Sequence, residues 1–136
     1  RDARQSKLIL RNTTVRVPGD GGHVLKSGCA TTRIENSVLD AGDGHYSRVI
    51  DAFNGGNLIL RDSTIRAGES GGNGDLIGFG GEKREELPRH RVDLRGGTTD
   101  CRHLPVWGHT LHIWWGRIRP ESVTWQPAKD HGCGTP

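Results

Sequence analysis

The sequence predicts an all-β solenoid: a single-stranded parallel β-helix of about four to five coils, with three short strands per coil. Three observations predict it. The phrase Lys7-Leu8-Ile9-Leu10-Arg11-Asn12-Thr13-Thr14-Val15-Arg16-Val17 returns as Asn57-Leu58-Ile59-Leu60-Arg61-Asp62-Ser63-Thr64-Ile65-Arg66-Ala67, with weaker copies at residues 31–41 and 91–101. Repeats spaced by roughly 20–50 residues belong to solenoids, propellers and arrays. Apolar residues inside each copy alternate with polar ones, the period of a strand, and no stretch carries the period of a helix. A second set of apolar segments follows the first at a near-constant distance.

Each copy reads as a strand, a polar corner and a second strand. Anchored on Leu10, Ile34, Leu60 and Leu94, the copies are 24, 26 and 34 residues apart. Leu8/Leu10, Thr32/Ile34, Leu58/Leu60 and Val92/Leu94 share one side of the first strand. After the corner, Val15/Val17, Leu39/Ala41, Ile65/Ala67 and Thr99/Cys101 face that side again. The corner residues are Asn12, Asn36, Asp62 and Gly96, types that tolerate a left-handed backbone and bend at little cost. Gly-rich loops follow. The third strands are anchored on Leu25, Ile50, Ile77 and Ile113, which lie 15, 16, 17 and 19 residues after the first anchors. The longest insertion runs from Gly80 to His90. Insertions in a solenoid gather on one face, so the loops at 18–22, 42–47, 68–74 and 80–90 are expected to form one wall of a groove beside the third strands.

Stacking of successive coils predicts columns of outward charges. One column is Arg16, Asp40, Arg66, Asp100, and another is Arg11, Glu35, Arg61, Arg95. Lys26 stacks on Asp51 in the third-strand column. Opposite charges on paired strands contribute about 0.2–1 kcal/mol each.

The chain resembles the right-handed parallel β-helix repeat proteins of the pectate-lyase-like superfamily. The likeness is carried by Ile34-Glu35-Asn36-Ser37-Val38 and Leu60-Arg61-Asp62-Ser63-Thr64-Ile65, and by the Asn12/Asn36/Asp62 corner, which is similar to that family's stacked asparagine ladder. It covers about residues 5–100, with a weaker extension to about 115. The hexapeptide period of left-handed β-helices is absent. The resemblance implies polysaccharide chains as ligands, laid along the outside of the coils, and a secreted or cell-surface location. Enzymes of the superfamily have more coils than this chain supplies. The alternative is therefore a non-catalytic structural or assembly module, such as a fragment of a longer adhesin- or tailspike-like protein.

Composition narrows the partners. Hydrophobic residues make up only 32% and there are 21 glycines, but the apolar residues fall in register, which a disordered chain would not show. Net charge is +3, and the most basic run, Lys83 to Arg91, is diluted by Glu85 and Glu86. No basic face with interleaved aromatics is present, so nucleic acid is not an expected partner. No apolar run is long enough to span a membrane as a helix. The chain starts at Arg1 almost directly in a strand, from which we expect processing, excision from a longer chain, self-association or a partner that caps the coil.

Residues 1–100 are expected to form the coils, and residues 101–136 a degenerate last coil with a cap or tail rich in Trp and His. All four tryptophans lie in that tail, and Arg119–Thr124 reads as a degenerate fifth corner. Of the three cysteines, Cys101 replaces an inward Ala or Val and is expected to be a buried thiol.

Three groups of residues carry candidate chemistry. The first lies near the third strands: Lys26, Arg48, Asp51 and Asp75, with His23 beside them and Asp43 in a neighbouring loop. Lyases of acidic sugars need a base and cations beside a carboxylate. Hydrolases need two carboxylates about 5–5.5 or 6.5–9.5 Å apart, which Asp51 with Asp43 or Asp75 would supply. The plainer account is that Lys26–Asp51 and Arg48–Asp75 are cross-coil ion pairs. The second is calcium. Gly71-Gly72-Asn73-Gly74-Asp75-Leu76-Ile77 resembles the repeat of calcium-binding β-rolls, though it occurs once, and Asp20, Asp43 and Asp75 would be the oxygen ligands. Ordinary Gly-Asp turns explain the same residues. The third is a soft-metal set drawn from Cys101, His103, His109, His112, His131 and Cys133, whose spacing matches no standard zinc pattern. No phosphate loop or Ser/Cys nucleophile motif is present.

Overall fold

The computed structural model describes residues 3–17 and 21–136. It is a parallel β-solenoid of three sheets, and every paired strand in it is parallel. The first sheet stacks Lys7–Arg11, Thr31–Glu35, Asn57–Arg61, Arg91–Arg95 and Ser122–Gln126 in that order. The second stacks Thr14–Arg16, Val38–Asp40, Thr64–Arg66, Thr98–Asp100 and Lys129–His131. The third stacks Leu25–Ser27, Ile50–Ala52, Asp75–Phe79 and His109–Ile113. Among the described residues the one helical element is the 3-10 turn Ala3–Gln5, and no helix is long and apolar enough to cross a membrane.

The first anchors are in register: Leu10 opposes Ile34, Ile34 opposes Leu60, and Leu60 opposes Leu94. Ile34, Leu58, Leu60, Val92 and Leu94 are buried from the first sheet. Leu39, Ile65, Ala41 and Ala67 meet them from the second, and Ile50, Ile77 and Phe79 from the third. Burying one such Leu or Ile contributes about 1.5–3 kcal/mol, so a thin core suffices because each coil adds several.

The corners explain the bend. Asn12, Asn36 and Asp62 have φ of 52°, 49° and 50°, and Gly96 has 70°. Each corner N–H then points at the next coil: Asn12 N donates to Glu35 O (3.1 Å), Asn36 N to Arg61 O (2.9 Å) and Asp62 N to Arg95 O (3.0 Å). Asn36 Nδ2 donates to Asn12 Oδ1 at 2.8 Å, so the asparagine ladder is a bonded one. A serine ladder runs beside it: Ser37 Oγ accepts from Thr13 N and Ser63 Oγ from Ser37 N, each at 3.1 Å. Gly97 ends that column because nothing larger fits. Its φ is 69°, and a Cβ there would lie 2.1 Å from Ser63 O.

The alternating charge column on the second sheet forms. Asp40 lies 3.7 Å from Arg16 and 3.8 Å from Arg66, and Arg66 lies 3.6 Å from Asp100. The column on the first sheet forms only at its start. Arg11 pairs with Glu35 at 3.0 Å, but Arg61 turns to Asp93 at 3.0 Å and Arg95 turns to Asp93 as well. Asp93 is buried between Val92 and Leu94 and accepts from Arg61 on Oδ2 and from Arg95 on Oδ1.

Four further expectations are corrected. In the third sheet Ile77 opposes Leu111, and Ile113 opposes Phe79, so Leu111 is the fourth anchor in place of Ile113. Arg119–Thr124 is not a corner: Ser122–Gln126 is a first-sheet strand with Trp125 opposite Leu94, and Lys129–His131 follows on the second sheet. Cys101 is not a free thiol but is bonded to Cys133, and Cys29 is the free cysteine. The inward slot of Cys101 lies beside the end of the last second-sheet strand, which carries Cys133 to it.

The loops do not make one wall. Those at 42–47 and 68–74 stack as a small parallel ladder, His45–Tyr46 on Ser70–Gly71, just before the third strands. The insertion after the third strand folds against the opposite edge: Glu82 N and Lys83 N donate to Phe53 O, and Glu85 N to Asn54 Oδ1. The third sheet is thus flanked on both sides.

Candidate functional site on the third sheet

Two columns of side chains cover the outer face of the third sheet. Taking Leu25, Ile50, Ile77 and Leu111 as anchors, the residues one position later are Lys26, Asp51, Gly78 and His112. The residues two positions earlier are His23, Arg48, Asp75 and His109. On a flat strand these two sets would point to opposite faces. Here the chain bends between them, because Val49 with Ile50 and Leu76 with Ile77 are consecutive residues that both enter the core. The bend lets both columns project outward and meet.

His23 and Asp51 form the first pair, with Nε2 3.2 Å from Oδ2 and both side chains nearly enclosed. The backbone N–H of Arg48 donates to His23 Nδ1 at 3.1 Å, which leaves the ring proton on Nε2, pointing at Asp51. Burial holds the His23 imidazole below its ordinary value, with the charges of Lys26 and Arg48 adding to it against the pull of Asp51. Burial pushes the Asp51 carboxyl up, opposed by His23, Arg48 and Lys26. The pair therefore holds a neutral, oriented imidazole against a carboxylate that is easier to protonate than a free one.

Asp75 is the second centre, and its side chain is only 1% exposed. Arg48 Nε donates to Oδ2 at 2.7 Å. His109 Nδ1 lies 3.0 Å from Oδ1 and His112 Nδ1 3.1 Å from Oδ2. The His112 ring stacks on Trp114 at 3.8 Å and 9°, and the Arg48 guanidinium lies over the same indole. Gly78 makes this possible. A Cβ there would lie 2.7 Å from Arg48 Cδ and 3.3 Å from Asp51 Oδ1, so its bare backbone is the floor over which Arg48 reaches Asp75.

Lys26 is opposite Asp51 in the ladder, but its ammonium goes to Glu82 Oε1 at 3.1 Å, and it lies over the Phe53 ring. The insertion has captured the lysine, and His23 has taken its expected partner. The hydrogen bond from Lys26 holds Glu82 below the usual carboxylate range.

Of the residues singled out from the sequence, Lys26, Arg48, Asp51 and Asp75 thus come to one face, with Arg48 and Asp75 paired as expected. Asp43 lines a separate surface pocket with Arg16, Val17 and Gly44. Asp20 lies outside the described residues. The soft-metal set loses Cys101 and Cys133 to their disulfide, while His109 and His112 meet Asp75. The sequence placed His23 and Asp51 near the third strands but did not pair them, and the role of Gly78 had no signal in the sequence. No family model, curated protein or solved structure matches the chain.

Proposed function

We propose that the third face binds a polysaccharide laid across the coils, and that Asp51 is the group that exchanges a proton with it. The observation that carries this reading is the His23–Asp51 pair: a buried carboxylate with a raised proton affinity beside an imidazole locked in one tautomer. Such a carboxyl group is suited to general acid or base work. Arg48 and Lys26 are engaged by Asp75 and Glu82, so neither is the proton-exchanging group. The column Lys26–Asp51–Gly78–His112 crosses four coils, about 14 Å at ~4.8 Å per step. Trp107 and Trp115 are exposed beyond the two ends of the strand His109–Ile113 and offer flat faces for sugar rings. The resemblance to pectate-lyase-like proteins supports the same ligand class.

The test is a panel of acidic and neutral polysaccharides read for binding and for new chain ends. Cleavage abolished in Asp51→Asn and kept in Asp43→Asn is the expected result. Binding without cleavage in the wild type would remove the proton-transfer role and leave a recognition module. A second reading, an assembly module, draws on the first coil, where Leu10, Val15 and Leu25 are only partly covered. Light scattering separates the two: a monomer at all concentrations counts against assembly.

A further inference from the structure

Asp75, His109 and His112 do more than an ion pair requires. Arg48 already neutralises the Asp75 carboxylate at 2.7 Å, yet two imidazoles converge on the same group. Their rings lie side by side, centroids 4.5 Å apart and tilted by 38°, each with Nδ1 turned to a carboxylate oxygen. We infer that these three side chains form a binding site for a divalent transition ion of the zinc class, independent of the polysaccharide reading.

The donor set decides the chemistry. Two imidazole nitrogens and one carboxylate suit zinc, cobalt, nickel or iron(II). Calcium would need about six to eight oxygens, and the group offers one carboxylate. The geometry is close to that of a bound ion. The three ligand atoms all lie within 4.8 Å of one another. Bonds of about 2.0–2.2 Å in a tetrahedron put neighbouring ligands roughly 3.4 Å apart. The present N···O separations, 3.0 Å from His109 to Oδ1 and 3.1 Å from His112 to Oδ2, are of that order, and an ion would draw the two imidazoles and one oxygen together around it.

The surroundings fit as well. Arg48 holds Oδ2 and leaves Oδ1 toward His109, the kind of outer contact that orients a ligating carboxylate. Stacking on Trp114 fixes the plane of the His112 ring. His109 is 55% exposed, so the group opens to solvent on that side and water can supply the fourth ligand. Three protein ligands and one water is the pattern of sites that act on a ligand rather than merely brace a fold.

The test is titration of the untagged protein with Zn²⁺ by calorimetry and with Co²⁺ by visible absorption. One ion per chain is expected, with the Co²⁺ bands of a low-coordinate site. His109→Ala and His112→Ala should each weaken binding at least tenfold, since even outer-contact changes cost about 10–100-fold. His131→Ala, at an exposed position of the last strand, should leave affinity unchanged. Absence of one-to-one binding, or binding that survives both His109→Ala and His112→Ala, overturns the inference. His109 is exposed enough that its alanine variant keeps the test valid even if Asp75→Asn fails to fold.

Discussion

Replacing Cys101 and Cys133 together by alanine releases the last coil from the body of the solenoid. The bond closes a stretch of 32 residues. That stretch holds the strands His109–Ile113, Ser122–Gln126 and Lys129–His131. A loop of that size restricts the unfolded chain by roughly 3–4 kcal/mol in the chain-entropy account. Little else compensates. Every residue of Lys129–His131 is exposed, and Trp125 is only partly buried where the previous coils have Leu60 and Leu94 fully inside. The loss therefore falls on the last coil and not on the whole molecule. Amide exchange in Ser122–Gln126 and Lys129–His131 should accelerate by two to three orders of magnitude, at about 1.4 kcal/mol per tenfold. Exchange in Asn57–Arg61 should change little. Alkylation of the native, unreduced protein should label one thiol, Cys29. Three labelled thiols, or equal acceleration in every strand, would refute the reasoning.

Three further predictions follow from the core and the titrating groups. Leu60→Ala, between Ile34 and Leu94 at the centre of the first sheet, should cost about 2–5 kcal/mol by denaturant unfolding; a loss under 1 kcal/mol would mean that the coils do not share a packed core. Gly97→Ala should cost more than about 2 kcal/mol, because the left-handed penalty of about 1–2 is joined by a clash with the Ser63 backbone; a neutral result would count against the corner geometry. Burial holds His23 and His90 below their ordinary value, so the unfolded chain binds more protons than the folded one below about pH 6.5. Their stability contribution is full above that pH and is lost as pH falls toward the folded-state values. The urea midpoint should drop between pH 7.5 and 5.5, less in His23→Asn and least when His90 is replaced as well. Parallel curves for all three proteins would contradict this.

The coils were legible in the sequence because their signals are local. Asn12, Asn36 and Asp62 mark the bend by residue type, and the inward residues of the first two sheets follow from alternation. The third sheet was harder. Ile113 and Leu111 have the same parity, so alternation cannot choose between them, and the choice of Ile113 hid the column that brings His112 beside Gly78. The site suffered further because its partners cross coils and a bend. His23 reaches Asp51, not its own neighbour, and Lys26 leaves Asp51 for Glu82 of an insertion 56 residues away. Cys101 and Cys133 also looked unrelated until the last strand was in register.

By itself the sequence determined the repeat, the corners, the first two registers and the charge column of the second sheet, because each is a preference of a residue for a bend or a face. The tertiary structure alone decided which oxygen meets which nitrogen on the third face. That choice depends on two consecutive inward residues turning the chain, on a glycine that leaves room for Arg48, and on an insertion that draws Lys26 away. These are contests between neighbours in space, settled by burial and distance, and no single strand contains them.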